Sequence, residues 1–247
     1  MTRISDLLHK AVKLLRILVK PDYRHAVRQG VAAAVEHEQV VFPREYGSVI
    51  DVEANRGQFA LFALHRFPKA LLTCFEPLPA AHSKLKTIVG EDARVSSHQC
   101  AVGAEAGSLS LNVTRSDDSS SLLRPTALQL RTFRDTETVS STQVDVVRLD
   151  DVIDLDGLLE PFLLKIDVQG FELEVLRGAE RLLQKDGDVL VEASFAEFYE
   201  GQALIDEVVV TMRAYEYRLR GIFSITKGAD GVPLQGDLLF SRVAASG

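Results

Sequence analysis

At 247 residues, with 46% apolar and 26% charged side chains, the chain has the balance of one ordinary globular domain with a sizeable core. No apolar run approaches the roughly 20 residues of a membrane span, and Lys10, Lys13 and Arg16 interrupt the apolar stretch near the N-terminus, which argues against a signal peptide. A net charge of −7 argues against nucleic acid as a partner, and Cys74 and Cys100, far apart and outside any CxxC pair, read as reduced thiols of a cytoplasmic protein.

The charge is uneven. Residues 1–30 hold seven Lys/Arg against two Asp, a net +5, which leaves −12 for the remainder. From Ile4 to Lys20, apolar residues such as Leu7, Leu8, Ala11, Val12 and Leu15 recur at helical spacing opposite His9, Lys10, Lys13 and Arg16, and Pro21 stops this helix. Its basic face offers peripheral membrane contact or a partner surface; the plainer alternative is that its stripe lies on the domain behind it. A second helix is expected over Tyr23–Glu38, around the Ala32-Ala33-Ala34 run. Residues 1–45 thus read as a helical N-terminal extension and 46–247 as the main domain.

Beyond Gly47, short apolar runs alternate with helical stretches, the mark of βαβ units and a mostly parallel sheet. Strands are expected at Ser48–Val52, Leu71–Phe75, Val95–Val102, Leu163–Val168 and Asp188–Ala193. Helices are expected at Gly57–Arg66, Pro79–Val89, from Phe171 through Leu182, and at Ala203–Ala214. Ser108–Thr114 and Gln143–Leu149 alternate with period two and should pair, with a long polar loop at Asp117–Thr138, holding one helical turn, between them. Arg218–Ile225 and Asp237–Val243 flank a turn-rich Lys227–Gly231 and predict a terminal antiparallel hairpin. In such folds ligands bind at the C-terminal strand ends, near the topological switch point.

Two acids punctuate those ends. Asp51 closes the first strand ahead of the loop Glu53-Ala54-Asn55-Arg56-Gly57, where backbone N–H groups and a helix start can face an anionic ligand group. Asp51 is placed to accept a hydrogen bond from a ligand ammonium. Glu76, in Phe75-Glu76-Pro77, ends the next strand about 20 residues on, where an acid can hold ribose hydroxyls.

Asp51–Gly57, Phe75-Glu76-Pro77 and Leu164–Glu172, with Ser120-Ser121-Leu122, Leu149-Asp150-Asp151, Tyr199–Gln202 and Gly236–Phe240, together resemble the FkbM-type methyltransferases over residues 25–243. The resemblance implies a Rossmann-like class I fold, α/β, with a seven-strand, mostly parallel sheet and a C-terminal antiparallel hairpin. It implies S-adenosylmethionine as cofactor, with the Asp51–Gly57 loop on the methionyl part, Glu76 and Pro77 at the ribose, and Ala101 and Val102 flanking the adenine. The activity implied is O-methylation of a hydroxyl on a sugar, glycolipid or other natural product. Glu53 departs from the family, which has glycine there. A positive φ at Glu53 would add about 1–2 kcal/mol of strain, and its charge would repel the cofactor's carboxylate. A noncatalytic, cofactor-impaired module and a nicotinamide oxidoreductase are the alternatives, although the latter would want a fuller G-x-G-x-x-G.

Methyl transfer needs alignment and, for a hydroxyl acceptor, a proton acceptor. Asp167, ending a buried strand before Gly170, is the candidate base or substrate-orienting carboxylate; the alternative is a cap on the helix near Phe171. Ser120, Ser121, Glu192 and Tyr199 are candidate acceptor contacts. No metal set stands out, and Asp150-Asp151 reads as a local cap or turn.

Overall fold

The computed structural model describes residues 20–243. The amphipathic segment from Ile4 lies outside these residues, apart from Lys20. Pro21 opens α1 (Pro21–Arg28), where a residue without an N–H costs nothing. This helix ends at Arg28, ten residues short of the predicted limit, and Gly30 (φ 80°) turns the chain just beyond it. The alanine run continues as extended chain into a 3-10 turn at Val35–Gln39. Val31, Ala33 and Ala34 are buried in the core and the Ala34 amide donates to the Gln58 carbonyl at 2.9 Å. Packing has overridden helix propensity.

The sequence then builds β1 (Ser48–Val52), α2 (Gln58–Arg66), β2 (Leu71–Phe75), α3 (Pro79–Val89), β3 (Val95–His98), β4 (Ala101–Val102) and β5 (Gly107–Thr114). Next come α4 (Ala127–Thr132), β6 (Thr138–Val147), α5 (Leu149–Val152), β7 (Phe162–Ile166), α6 (Glu172–Arg177), β8 (Gly187–Ser194), α7 (Ile205–Ala214), β9 (Tyr217–Lys227) and β10 (Pro233–Arg242). Seven strands form one sheet in the order β3-β2-β1-β7-β8-β10-β9, parallel except for β10, which runs antiparallel between β8 and β9. The fold is therefore the Rossmann-like α/β arrangement with a C-terminal antiparallel hairpin. The chain leaves β1 in one direction and returns at β7 on its other side, so the switch point lies between these two strands.

Two details differ from the sequence expectation. The run Val95–Val102 divides at Gln99-Cys100: β3 edges the large sheet, whereas β4 joins β5 and β6 in a second, three-stranded sheet. The helical turn expected in the long polar loop is α4, capped by the Thr126 hydroxyl. The helix expected from Phe171 to Leu182 stops at Gly178, where an added Cβ would lie 2.1 Å from the Gly103 carbonyl oxygen. The Asp150 carboxylate then accepts the Arg181 and Leu182 amides at 2.9 and 3.0 Å, so Asp150 does cap a turn, one that lies 31 residues away.

The large sheet is covered on both faces. Tyr23, Ala26, Val31, Phe42 and Tyr46 from the N-terminal segment pack with α2 against one face, and α5, α6 and α7 supply Leu149, Val175, Leu176, Val208 and Met212 to the other. Among the described residues no helix is long and apolar enough to cross a membrane, and both cysteines are buried and free.

Candidate functional site

The loop after β1 takes left-handed backbone at three of five positions: Glu53 (φ 64°), Asn55 (φ 48°) and Gly57 (φ 92°). Asn tolerates this conformation and Gly is indifferent to it, whereas Glu53 carries the strain anticipated above. Glu76 moors the loop. Its two carboxylate oxygens accept the Asn55 amide at 2.8 Å and the Leu78 amide at 2.7 Å, while the Ala54 amide donates to the Phe75 carbonyl at 2.9 Å. Gly57 also lets α2 approach α3, because a Cβ there would stand 3.0 Å from Leu85 Cδ1.

Sheet register aligns Asp51 with Lys165 on the neighbouring strand, on the face covered by α2. Lys165, itself buried, donates to Asp167 Oδ2 at 3.1 Å and stands 3.8 Å from Asp51 Oδ1. Asp51 has no exposed surface, and neither of its carboxylate oxygens has a hydrogen-bond partner among the described residues. Burial pushes it up to about 6 against the pull of Lys165. Asp51 thus sits one layer behind the cleft wall, with its acceptor capacity unspent.

Asp167 does not cap α6, whose start has no side-chain cap; the nearby Gly170 amide goes to Glu172 at 2.8 Å instead. Burial works to raise Asp167, but Lys165 and the hydrogen bonds from Lys165 and Gln169 outweigh it and hold it below the usual carboxylate range. Glu192 is the reverse: burial, then Asp167 and Asp237, push it well above that range. Gln169 joins the two, its Nε2 donating to Asp167 at 2.8 Å and to Glu192 at 3.2 Å, from a backbone itself strained at φ 52°.

Ser120, Ser121 and Tyr199 are 1–2% exposed, and their hydroxyls bond within the protein. The Ser120 hydroxyl accepts the Thr114 amide and the Ser121 hydroxyl donates to the Gln169 carbonyl at 2.6 Å. Tyr199 has its hydroxyl 3.0 Å from the Ser119 carbonyl, Gln169 Oε1 and Gln129 Nε2, which binds the 117–132 segment to the rim. Only Asp167 and Glu192 of the acceptor candidates keep partial exposure.

Two hollows meet at Glu53. On the α2 face a polar cleft of about 200 Å³ is lined by His37, Asn55, Gln58, Glu76, Lys165 and Asp167. On the other face an apolar slot runs between Phe75, Pro77, Ala101, Val102, Val168 and Phe171, with about 10 Å³ of free space, so a flat ligand enters only as its walls part. Glu53 borders both. Burial, then Glu76 and Asp167, push its carboxyl well above the ordinary range. Burial therefore disfavours its charged form, which weakens the repulsion anticipated from the sequence.

Lys165, Gln169 and His37 are the components that sequence reasoning missed. A lysine inside the apolar run Leu163-Leu164-Lys165-Ile166 was a usable signal, since such a residue is almost never buried unpaired. Glu172 was also overlooked. It is buried with Oε2 unpartnered among the described residues, and burial leads the causes that push it up to about 7. Its penalty is absent below the ordinary glutamate value, builds between there and 7, and is complete above 7. Glu172→Gln should therefore gain thermal stability on the wild type as pH rises from 5 to 8; parallel melting-temperature curves would refute this.

Residues 51–219 match the family model described as the methyltransferase FkbM domain. The chain is 27% identical over 203 residues to the 2-O-methyltransferase NoeI of Sinorhizobium fredii, covering 79% of this chain and 84% of that protein. It is 30% identical over 192 residues to the 31-O-demethyl-FK506 methyltransferase FkbM of Streptomyces tacrolimicus, covering 68% and 72%. Among solved structures it is similar to the precorrin-6y C5,15-methyltransferase of Geobacter metallireducens, with a TM-score of 0.45, 12% identity and coverage of 85% and 87%.

Proposed function

This chain belongs to the FkbM methyltransferase family, and from that premise we propose that it uses S-adenosylmethionine to methylate a hydroxyl of a sugar, glycolipid or other natural product. The cofactor supplies a methyl group activated on a sulfonium. The observation that carries the reading is the continuity of an apolar slot, an acid moored to the loop amides and a polar cleft, which suits a flat base, a ribose and a charged amino-acid end in that order. Ala101, Val102 and Pro77 flank the base. Glu76 accepts the ribose hydroxyls, and Ala54, Asn55 and Gly57 shape the loop around the amino-acid end. Asp51 backs that end, its orphaned oxygens ready for a donor.

Asp167, kept ionised by Lys165, serves this reading as the carboxylate that orients the acceptor hydroxyl, because a lowered pKa makes it a poor proton acceptor. Glu192 lies beside it through Gln169 and is the second acceptor contact. The relatives' printed activities, a 2-O-methyltransferase and a 31-O-demethyl-FK506 methyltransferase, support oxygen as the atom methylated.

Calorimetry with S-adenosylhomocysteine and with NAD tests the proposal. Saturable binding of the first and none of the second is expected; binding of NAD alone would favour a dehydrogenase, and binding of neither a noncatalytic module. One observation favours that module reading, the strained Glu53 at the junction of slot and cleft. Relieving it decides the matter. Glu53→Gly removes about 1–2 kcal/mol of left-handed strain and a side chain from the cofactor's path, so S-adenosylhomocysteine should bind several-fold more tightly. An unchanged or larger dissociation constant would show that the position does not obstruct the ligand.

A further inference from the structure

We propose that His37, supplied by the N-terminal segment outside the family-matched residues, is the cation that receives the carboxylate of the ligand's amino-acid end; this rests on the cofactor reading above. The cleft is rich in acids. Glu36 beside His37, Glu53 and Glu76 at the loop, Asp118 opposite and Asp167 on the β7 side all line it, and Asp237 approaches from β10. A ligand ammonium is at home there, whereas a ligand carboxylate needs a positive partner. Lys165, the other cleft-lining base, is already hydrogen-bonded to Asp167 at 3.1 Å.

His37 is built to present one nitrogen. Its ring is 8% exposed and wedged against Phe59 and Phe62, with centroid distances of 5.0 and 5.7 Å. Nδ1 lies 3.2 Å from the Ala34 carbonyl, an acceptor only, so Nδ1 carries a proton and donates it. Nε2 is 3.8 Å from Asp237 Oδ2, beyond a hydrogen bond, and is the ring position left for a ligand. An imidazole that pairs with a carboxylate through Nε2 does so as imidazolium, with Nδ1 still donating to Ala34. The bend of the chain at Gly30, which follows α1 and brings the 3-10 turn back over the strand ends, is what delivers His37 to this wall.

The test compares S-adenosylhomocysteine with 5′-methylthioadenosine, which keeps the nucleoside and the thioether but lacks the amino-acid end. His37→Gln should weaken S-adenosylhomocysteine at least about tenfold and leave methylthioadenosine within twofold of wild type. Equal losses for both ligands would make His37 a packing residue, and no loss for either would remove it from the site; each overturns the proposal. A measurement on the unaltered protein covers the case of a variant that does not fold. At pH 8, where free histidine is neutral, one ring should move to the imidazolium signature in ¹⁵N spectra on saturation with S-adenosylhomocysteine and stay neutral with methylthioadenosine. Saturation without that change also overturns it. Wild-type protein that binds neither ligand would instead sink the cofactor reading, and the proposal with it.

Discussion

Replacing Lys165 with methionine is expected to cost about 3–5 kcal/mol of stability, the range for removing one partner of a buried ion pair. Methionine matches the length and much of the volume of the lysine stem, so the loss isolates charge from packing. Without the ammonium, Asp51, fully buried, and Asp167 face each other with no cation between them. Both carboxyls would rise and take up protons, which gives the effect a sign in pH: the deficit should be smaller at pH 5 than at pH 8. Thermal unfolding across that range measures it, with a drop of roughly 10 °C at neutral pH for a chain of this size. A melting temperature within about 2 °C of wild type at pH 8 would mean that the lysine merely fills space. The double replacement Lys165→Met with Asp167→Asn should recover part of the loss, because it removes one of the uncompensated acids.

Glu76→Ala should abolish measurable cofactor binding, weakening S-adenosylhomocysteine by a factor of about 100 or more. Three consequences converge. The ribose loses its acceptor, two amides that now donate to the carboxylate at 2.8 and 2.7 Å lose theirs, and a loop with three left-handed residues loses its mooring to β2. Glu76→Gln separates these roles. Its amide retains one oxygen for one of the two N–H groups, so the fold should survive and affinity should fall roughly tenfold. Binding by the alanine variant within a few-fold of wild type would move the ribose site elsewhere.

How legible the molecule was in its sequence varies by element. The large sheet was readable because strands such as Leu163–Ile166 are covered on both faces and so appear as short unbroken apolar runs. Asp51 and Glu76 were readable as acids at strand ends, a position marked by the turn that follows. The partners of the Ser120, Ser121 and Tyr199 hydroxyls were not legible, because a polar residue in a polar loop looks the same whether its hydroxyl faces a ligand or a carbonyl of the next segment. Only the folded chain shows that the Tyr199 hydroxyl lies against Ser119, Gln129 and Gln169, contacts spanning 30 to 80 residues. The helix expected through the alanine run failed for a related reason. Propensity there is worth tenths of a kcal/mol per residue, less than burying Val31, Ala33 and Ala34 against the sheet.

By itself the sequence determined the α/β class, the strand order's sense of alternation, the terminal hairpin and the positions of Asp51, Glu76 and Asp167, because these follow from periodicities of a few residues. Tertiary structure alone decided the ionisation of the site. Lys165 reaches Asp51 and Asp167 through sheet register, burial pushes the Glu53 carboxyl up, and His37 arrives from a segment that composition marks as helix. Charge states depend on desolvation and on neighbours a few ångströms away, and both are set by contacts between residues far apart in the chain.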